Sequence, residues 1–131
     1  MNDVFKKHIA GLTEYLGECG WNVYPLPKVL TRRDDTEAHN LFGKTGYYEP
    51  ASKTIVLYIT GRHPKDVLRS YAHEMRHHHQ NLSGLMDNES AQESSDPMYA
   101  QKSKHLRKLE EDAYLKGNMA FRDYCDKTKY S

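Results

Sequence analysis

The run His73-Glu74-Met75-Arg76-His77 is the part of this chain best suited to chemistry. Residues four apart on an α-helix lie one above the other on the same face, so two imidazoles at this spacing can grip one ion. Glu74 follows the first of them by one residue, and its carboxylate can reach a water on that ion without completing the coordination shell. A catalytic metal needs an open position, which three protein ligands and a water provide. Such an ion lowers the pKa of its water from about 15.7 towards about 7. A carboxylate beside it then takes the proton and delivers it to a leaving amine. The chemistry expected of the run is therefore metal-assisted hydrolysis, with Zn2+ as the cofactor and Glu74 as the general base. In chains this rich in histidine and glutamate, chance yields such a run in roughly three of every hundred. The surrounding elements must therefore add to the case.

Two histidines leave the ion one protein ligand short. The last helical stretch offers Glu110, Glu111, Asp112 and His105. Glu110 is preferred because the small Ala113, three residues on, would let this helix lie close to the first, although Glu111 serves nearly as well on charge. His78 and His79 point about 100° and 200° away from His77 around a helix, which places them at the surface or in support of the ligands. Gln80, one turn beyond His77, suits either support of that ligand or of a substrate, or a plain polar helix position. Gly43-Lys44-Thr45 ends like a phosphate-binding loop, but the glycine required earlier falls at Ala38. It reads instead as a turn entering a hairpin.

The elements that must position these groups follow from apolar periodicity. Val4, Phe5, Ile9, Leu12 and Leu16 form one stripe of a helix from about Asn2 to Leu16, stopped by Gly17 and Gly20. Lys28 to Arg32 reads as a short strand, and the charged run Arg33 to Ala38 as a loop. Tyr47-Tyr48-Glu49, a turn at Pro50 to Lys53 and Thr54 to Thr60 make a hairpin whose second strand is apolar on both faces, hence buried. Gly61 breaks that strand, and Pro64 suits the first position of a helix running to about Leu82. Leu68, Tyr71, Ala72, Met75 and Leu82 mark its buried side, and Ser83 with Gly84 ends it. Residues 83–103 have the composition of a mobile acidic loop. A last helix carries Leu106, Leu109, Ala113, Ala120 and Tyr124 on one stripe, with Gly117 either capping its first half or admitting a close neighbour. The tail 127–131 reads as frayed. The expected fold class is α+β: one small domain over 1–131, made of an N-terminal helix, a short sheet, a metal helix, an acidic loop and a ligand helix.

The bulk numbers agree with one domain of 131 residues. An apolar fraction of 37% implies a modest core, to which ten tyrosines add area. A formal net charge of +1 argues against nucleic acid as a partner, because phosphate binding needs clustered cations. No apolar run approaches the length of a bilayer span, and the start of the chain lacks the apolar stretch of a secretory signal. A cytoplasmic protein is therefore expected, and in that compartment Cys19 and Cys125, which lack metal-site spacing, read as reduced thiols.

The residues also carry a resemblance. A helical H-E-x-x-H followed downstream by Glu110-x-x-Ala113 resembles the zincin metallopeptidases of the gluzincin type, and the order of elements resembles the short minigluzincins. The stretches Phe42 to Tyr48, Gly61 to Asp66 and Glu110 to Asn118 also look like short peptidase-like proteins encoded by tailed phages. The resemblance implies a zincin-like fold, ligands His73, His77 and Glu110, a peptide or protein substrate, and the cytoplasm of an infected bacterial host. Tyr114 departs from the pattern, standing where many relatives have an aspartate or asparagine that buttresses a ligand histidine. Substrate would lie along an edge strand as an added strand, with Thr54 to Thr60 nearest in sequence. A further group would steady an oxyanion or support a ligand, for which Tyr114, His105, Tyr47 and Tyr48 are candidates. An alternative function is a catalytically inactive, zinc-stabilised interaction module, such as a phage-encoded modulator of a host protein, suggested by the acidic stretch and the small size.

Overall fold

A computed structural model describes residues 3–33, 45–86 and 99–128. Within them the chain is α+β: helix α1 (Asp3–Glu18), strands β1 (Lys28–Arg32), β2 (Gly46–Glu49) and β3 (Thr54–Tyr58), helix α2 (Pro64–Leu82) and helix α3 (Tyr99–Thr128). The expected loop at Arg33 to Ala38 lies, beyond Arg33, outside the described residues, as do Gly43 and Lys44.

Helix α1 buries Phe5, Leu12 and Leu16, while Val4 is 62% exposed and not part of the stripe. One residue is 100° of helical rotation, so Val4 and Phe5 cannot both face the core. Gly17 stays within the helix, and Gly20, at φ +91°, lies just beyond its end.

The sheet order is β1-β3-β2, with β1 parallel and β2 antiparallel to β3. The hairpin turns through Pro50–Lys53 as its residue types suggest, Lys53 taking a left-handed φ of 51°. Strand β3 is central, which is why Thr54 to Leu57 are all buried. It is flanked on both sides, so it cannot receive an added strand as the resemblance suggested. The edges are β1 and β2.

His63 caps α2, its Nδ1 accepting from the Lys65 amide at 3.1 Å, and Pro64 follows at the first helical position. Leu68, Tyr71, Ala72 and Met75 join Ile55, Leu57, Leu12, Leu16, Phe121 and Tyr124 in one core between the sheet and the three helices. Leu82 is only half-buried. The C-terminal half of α2 buries polar groups instead: Glu74, His77, His78 and Gln80.

Helix α3 is continuous from Tyr99 to Thr128. It takes up the last five residues expected to be loop and the first two expected to fray. Residues 87–98 and 129–131 lie outside the described part. Gly117 sits inside this helix, where an added Cβ would meet His73 Cα at 3.0 Å and His73 N at 3.1 Å. It therefore admits a close neighbour rather than capping anything. Ala113, one turn earlier, is fully buried. No helix among the described residues is long and apolar enough to cross a membrane.

Candidate metal centre

The four-residue spacing on α2 brings the rings of His73 and His77 to a centroid distance of 4.9 Å. The close approach of α3 at Gly117 and Ala113 carries Glu110 to both. Its Oε1 lies 2.8 Å from His77 Nε2 and its Oε2 3.3 Å from His73 Nε2. One ligand atom from each of the three residues lies within 4.8 Å of the others, so the group can hold a metal ion. The competing acids are elsewhere. Asp112 takes a two-pronged ion pair from Arg76, at 2.7 and 3.3 Å. Glu111 is exposed and lines a separate groove with Lys65 and Cys125.

Gln80 proves to be the support of a ligand. Its Nε2 donates to Leu109 O and to Asp112 Oδ2, both at 2.9 Å, and these acceptors fix the orientation of the amide. The amide oxygen then has to face His77 Nδ1, 2.8 Å away, so Nδ1 carries the proton and Nε2 turns its lone pair to the site. His73 has no such partner: its Nδ1 is buried without a hydrogen bond. Tyr114 packs its ring against His73 at 4.4 Å between centroids, held by contact alone. Among the described residues this histidine therefore has no polar buttress.

Donors converging in this way require a positive charge among them, either a proton or a metal cation. Hydrogen bonds to His73 and His77 hold the Glu110 carboxyl well below the usual carboxylate range. Burial works to lower the pKa of His77, but the hydrogen bond to Glu110 and the charges of Glu74 and Glu110 carry it above its ordinary value. Glu74 is 4% exposed, and burial raises its pKa, with His77 and His73 opposing. Its Oε1 lies 3.9 Å from His73 Nε2, while Oε2 is buried without a partner. A carboxylate with raised proton affinity and an uncommitted oxygen therefore adjoins the ligand group. Two nitrogens and a carboxylate oxygen are a donor set that divalent transition-metal ions accept, zinc among them.

The group lies in an open cleft of about 1150 Å³ walled by β2 on one side and α3 on the other. The candidates to steady an oxyanion fare differently. His105 does not line the cleft, and its Nε2 donates to Leu85 O at 2.9 Å. The Tyr48 hydroxyl accepts from Asn81 Nδ2 and donates to His78 Nδ1. Tyr114 and Tyr47 line the cleft and are 62% and 39% exposed.

His78 is fully buried rather than at the surface, donating from Nε2 to Pro25 O at 2.7 Å and tying β2 and the segment before β1 to α2. His79 accepts from the Asn22 amide. Sequence reasoning missed Arg62, whose guanidinium binds Thr45 O, Tyr58 O, Asp66 O and Ser70 Oγ and fastens the start of β2 to α2. Only its place in the turn between a strand and a helix pointed to it. No family model, curated protein or solved structure matches this chain.

Proposed function

We propose that this protein is a zinc-dependent peptidase in which His73, His77 and Glu110 hold the ion and Glu74 is the general base. One observation carries the proposal: three ligands converge beside a buried carboxylate whose free oxygen has no other partner, within an open cleft. When bound, zinc supplies a water acidified to a pKa of about 7 and a Lewis acid for the carbonyl. The chain's own residues do the rest. Glu74 takes a proton on its carboxylate and returns it to the leaving amine, and its burial raises its affinity for that proton between the two steps. Gln80 keeps His77 in the tautomer that presents Nε2.

Substrate is placed by β2, not β3. Tyr58 N donates to Thr45 O, which makes 45 and 58 a hydrogen-bonded pair. Such pairs alternate along an antiparallel ladder, so Tyr47 and Glu49 bond to β3 while the backbone groups of Gly46 and Tyr48 face the outer edge. That edge lines the cleft, and an extended peptide can pair with it. The likeness to gluzincins agrees with this arrangement.

The test is Glu74→Gln. The variant should keep its zinc, measured by metal analysis, and lose about 10²–10⁴-fold in peptide hydrolysis. His73→Ala and His77→Ala should lose the metal itself. Full turnover in Glu74→Gln would refute the mechanism. Retained zinc with no hydrolysis by the wild type would favour the inactive interaction module.

A further inference from the structure

The two ends of the cleft differ in chemistry. Arg62 Nη1 donates to Thr45 O, and Asn81 Nδ2 donates to Pro50 O, so β2 runs in the same direction as α2 along the cleft. Beside the Gly46 end, the lining residues are Arg62, Asp66, Arg69, Ser70 and Asn118. Beside the Pro50 end they are Met86, Leu106 and Leu109, and the Gln80 bond to Leu109 O fixes that part of α3 against the last turns of α2. The ligand group lies between the two ends.

The polar end is electropositive. Arg62 is held by four uncharged oxygens, and Arg69 meets Asp66 at 3.2 Å in a half-exposed pair. Two guanidinium groups thus face one carboxylate. The Arg69–Asp66 pair is of the exposed kind that contributes little, so Arg69 can turn to another anion at small cost. Arg69 borders both the cleft and the neighbouring groove, where its guanidinium rests 5.3 Å from the centre of the Phe121 ring. At the other end Glu49, exposed on β2, repels an acidic residue while the aliphatic wall favours an apolar one.

Resting on the peptidase reading above, we propose that the cleft selects peptides with an apolar residue before the scissile bond and an acidic residue directly after it. The direction follows from antiparallel pairing with β2, the more stable ladder per residue. A peptide so paired enters at the Pro50 end and leaves at the Gly46 end. Its residues before the cleaved bond lie against Leu106, Leu109 and Met86, and the side chain after the bond meets Arg69 and Ser70.

The experiment is cleavage-site mapping on a peptide library by zinc-loaded wild type, with Glu74→Gln as the blank, then kcat/KM on two matched peptides with Asp or Lys after the bond. The expected result is enrichment of Asp and Glu after the bond and of Leu, Ile, Phe and Met before it. Arg69→Glu should shift the Asp-to-Lys ratio by about tenfold towards Lys, and Arg69→Gln by a smaller factor in the same direction. Glu74-dependent cleavage with basic or apolar residues after the bond would overturn this proposal and leave the peptidase reading standing. An Asp-to-Lys ratio unchanged in both Arg69 variants would do the same. Absence of any Glu74-dependent cleavage would sink both.

Discussion

Replacing Gly117 by alanine sets two physical effects against each other. In an exposed helix interior the change should stabilise by about 0.8–1.0 kcal/mol, the difference in intrinsic propensity. Here the new methyl would lie 3.0 Å from His73 Cα, 3.1 Å from His73 N and 3.3 Å from Ala72 C. Carbon contacts settle at about 3.5–4.0 Å, so α3 has to withdraw by roughly half an ångström or more. Each of the three atoms is backbone of α2, and no side-chain rotation can relieve the contact. Overpacking costs about 1–3 kcal/mol, and contacts with three backbone atoms put this one in the upper part of that range, about 2–3 kcal/mol, so a net loss of about 1–2 kcal/mol remains. For a domain of this size that is a fall in Tm of about 3–8 °C. Because Glu110 lies two turns earlier on the same helix, the withdrawal also loosens the ligand group, and zinc affinity should fall about tenfold. Calorimetry and competition with a chromophoric chelator read the two effects separately. A Gly117→Ala protein that melts higher than wild type and binds zinc as tightly would show that α3 does not press on His73, and the account of how Glu110 is positioned would fail.

Other expectations follow from the surroundings of the ligands. Gln80→Ala should weaken zinc binding about 10–100-fold. Gln80→Glu should also weaken it, because a carboxylate would face Asp112 and Leu109 O, and adding Asp112→Asn should restore much of the loss. Equal zinc affinity in wild type and Gln80→Ala would refute the supporting role. The pH dependence has a definite sign. His77 is raised above 6.5, so in metal-free protein its stabilisation is complete below that pH and lost as pH climbs through the raised value. Glu110 is depressed below 4.5, so its stabilisation is present above that pH and lost as pH falls towards the depressed value. Glu74, raised by burial, adds to the loss on the alkaline side. Chelator-treated protein should therefore melt highest between 4.5 and 6.5, whereas zinc should stabilise increasingly as the imidazoles deprotonate. Tm scans across pH with and without chelator decide this, and parallel curves would contradict it. Tyr48→Phe strands His78 Nδ1, leaves Asn81 Nδ2 only its bond to Pro50 O, and should cost about 1–3 kcal/mol with zinc affinity unchanged, as chemical denaturation and a zinc titration would show.

The sequence made legible whatever depends on local spacing. The helical histidine pair, the hairpin turn and the start of α2 at Pro64 rest on contacts within a few residues, and the observed elements match. Glu110 required more, since charge alone could not separate it from Glu111 or Asp112. The choice turned on Ala113 as a close-packing position, and the buried Ala113 and Gly117 at the helix contact agree with it. What escaped were relations between distant segments. The parallel pairing of β1 with β3 puts β3 in the middle of the sheet, and nothing in Thr54 to Tyr58 says which neighbour lies on which side. His78 was misplaced because its partners, Pro25 and Tyr48, are far off in sequence. Gln80 stayed ambiguous because its amide is oriented by Asp112 and Leu109, on another helix.

The three ligands are unevenly distributed along the chain. His73 and His77 share a helix, but Glu110 arrives from another after an excursion of about thirty residues. An ion gripped by all three would act as a detachable rivet. A closure of that span removes about 3–4 kcal/mol of freedom from the denatured chain, on the same reasoning that applies to a disulfide. Unlike a disulfide, it would not depend on the redox poise of its surroundings. The lifetime of the folded protein would instead follow the local supply of free zinc.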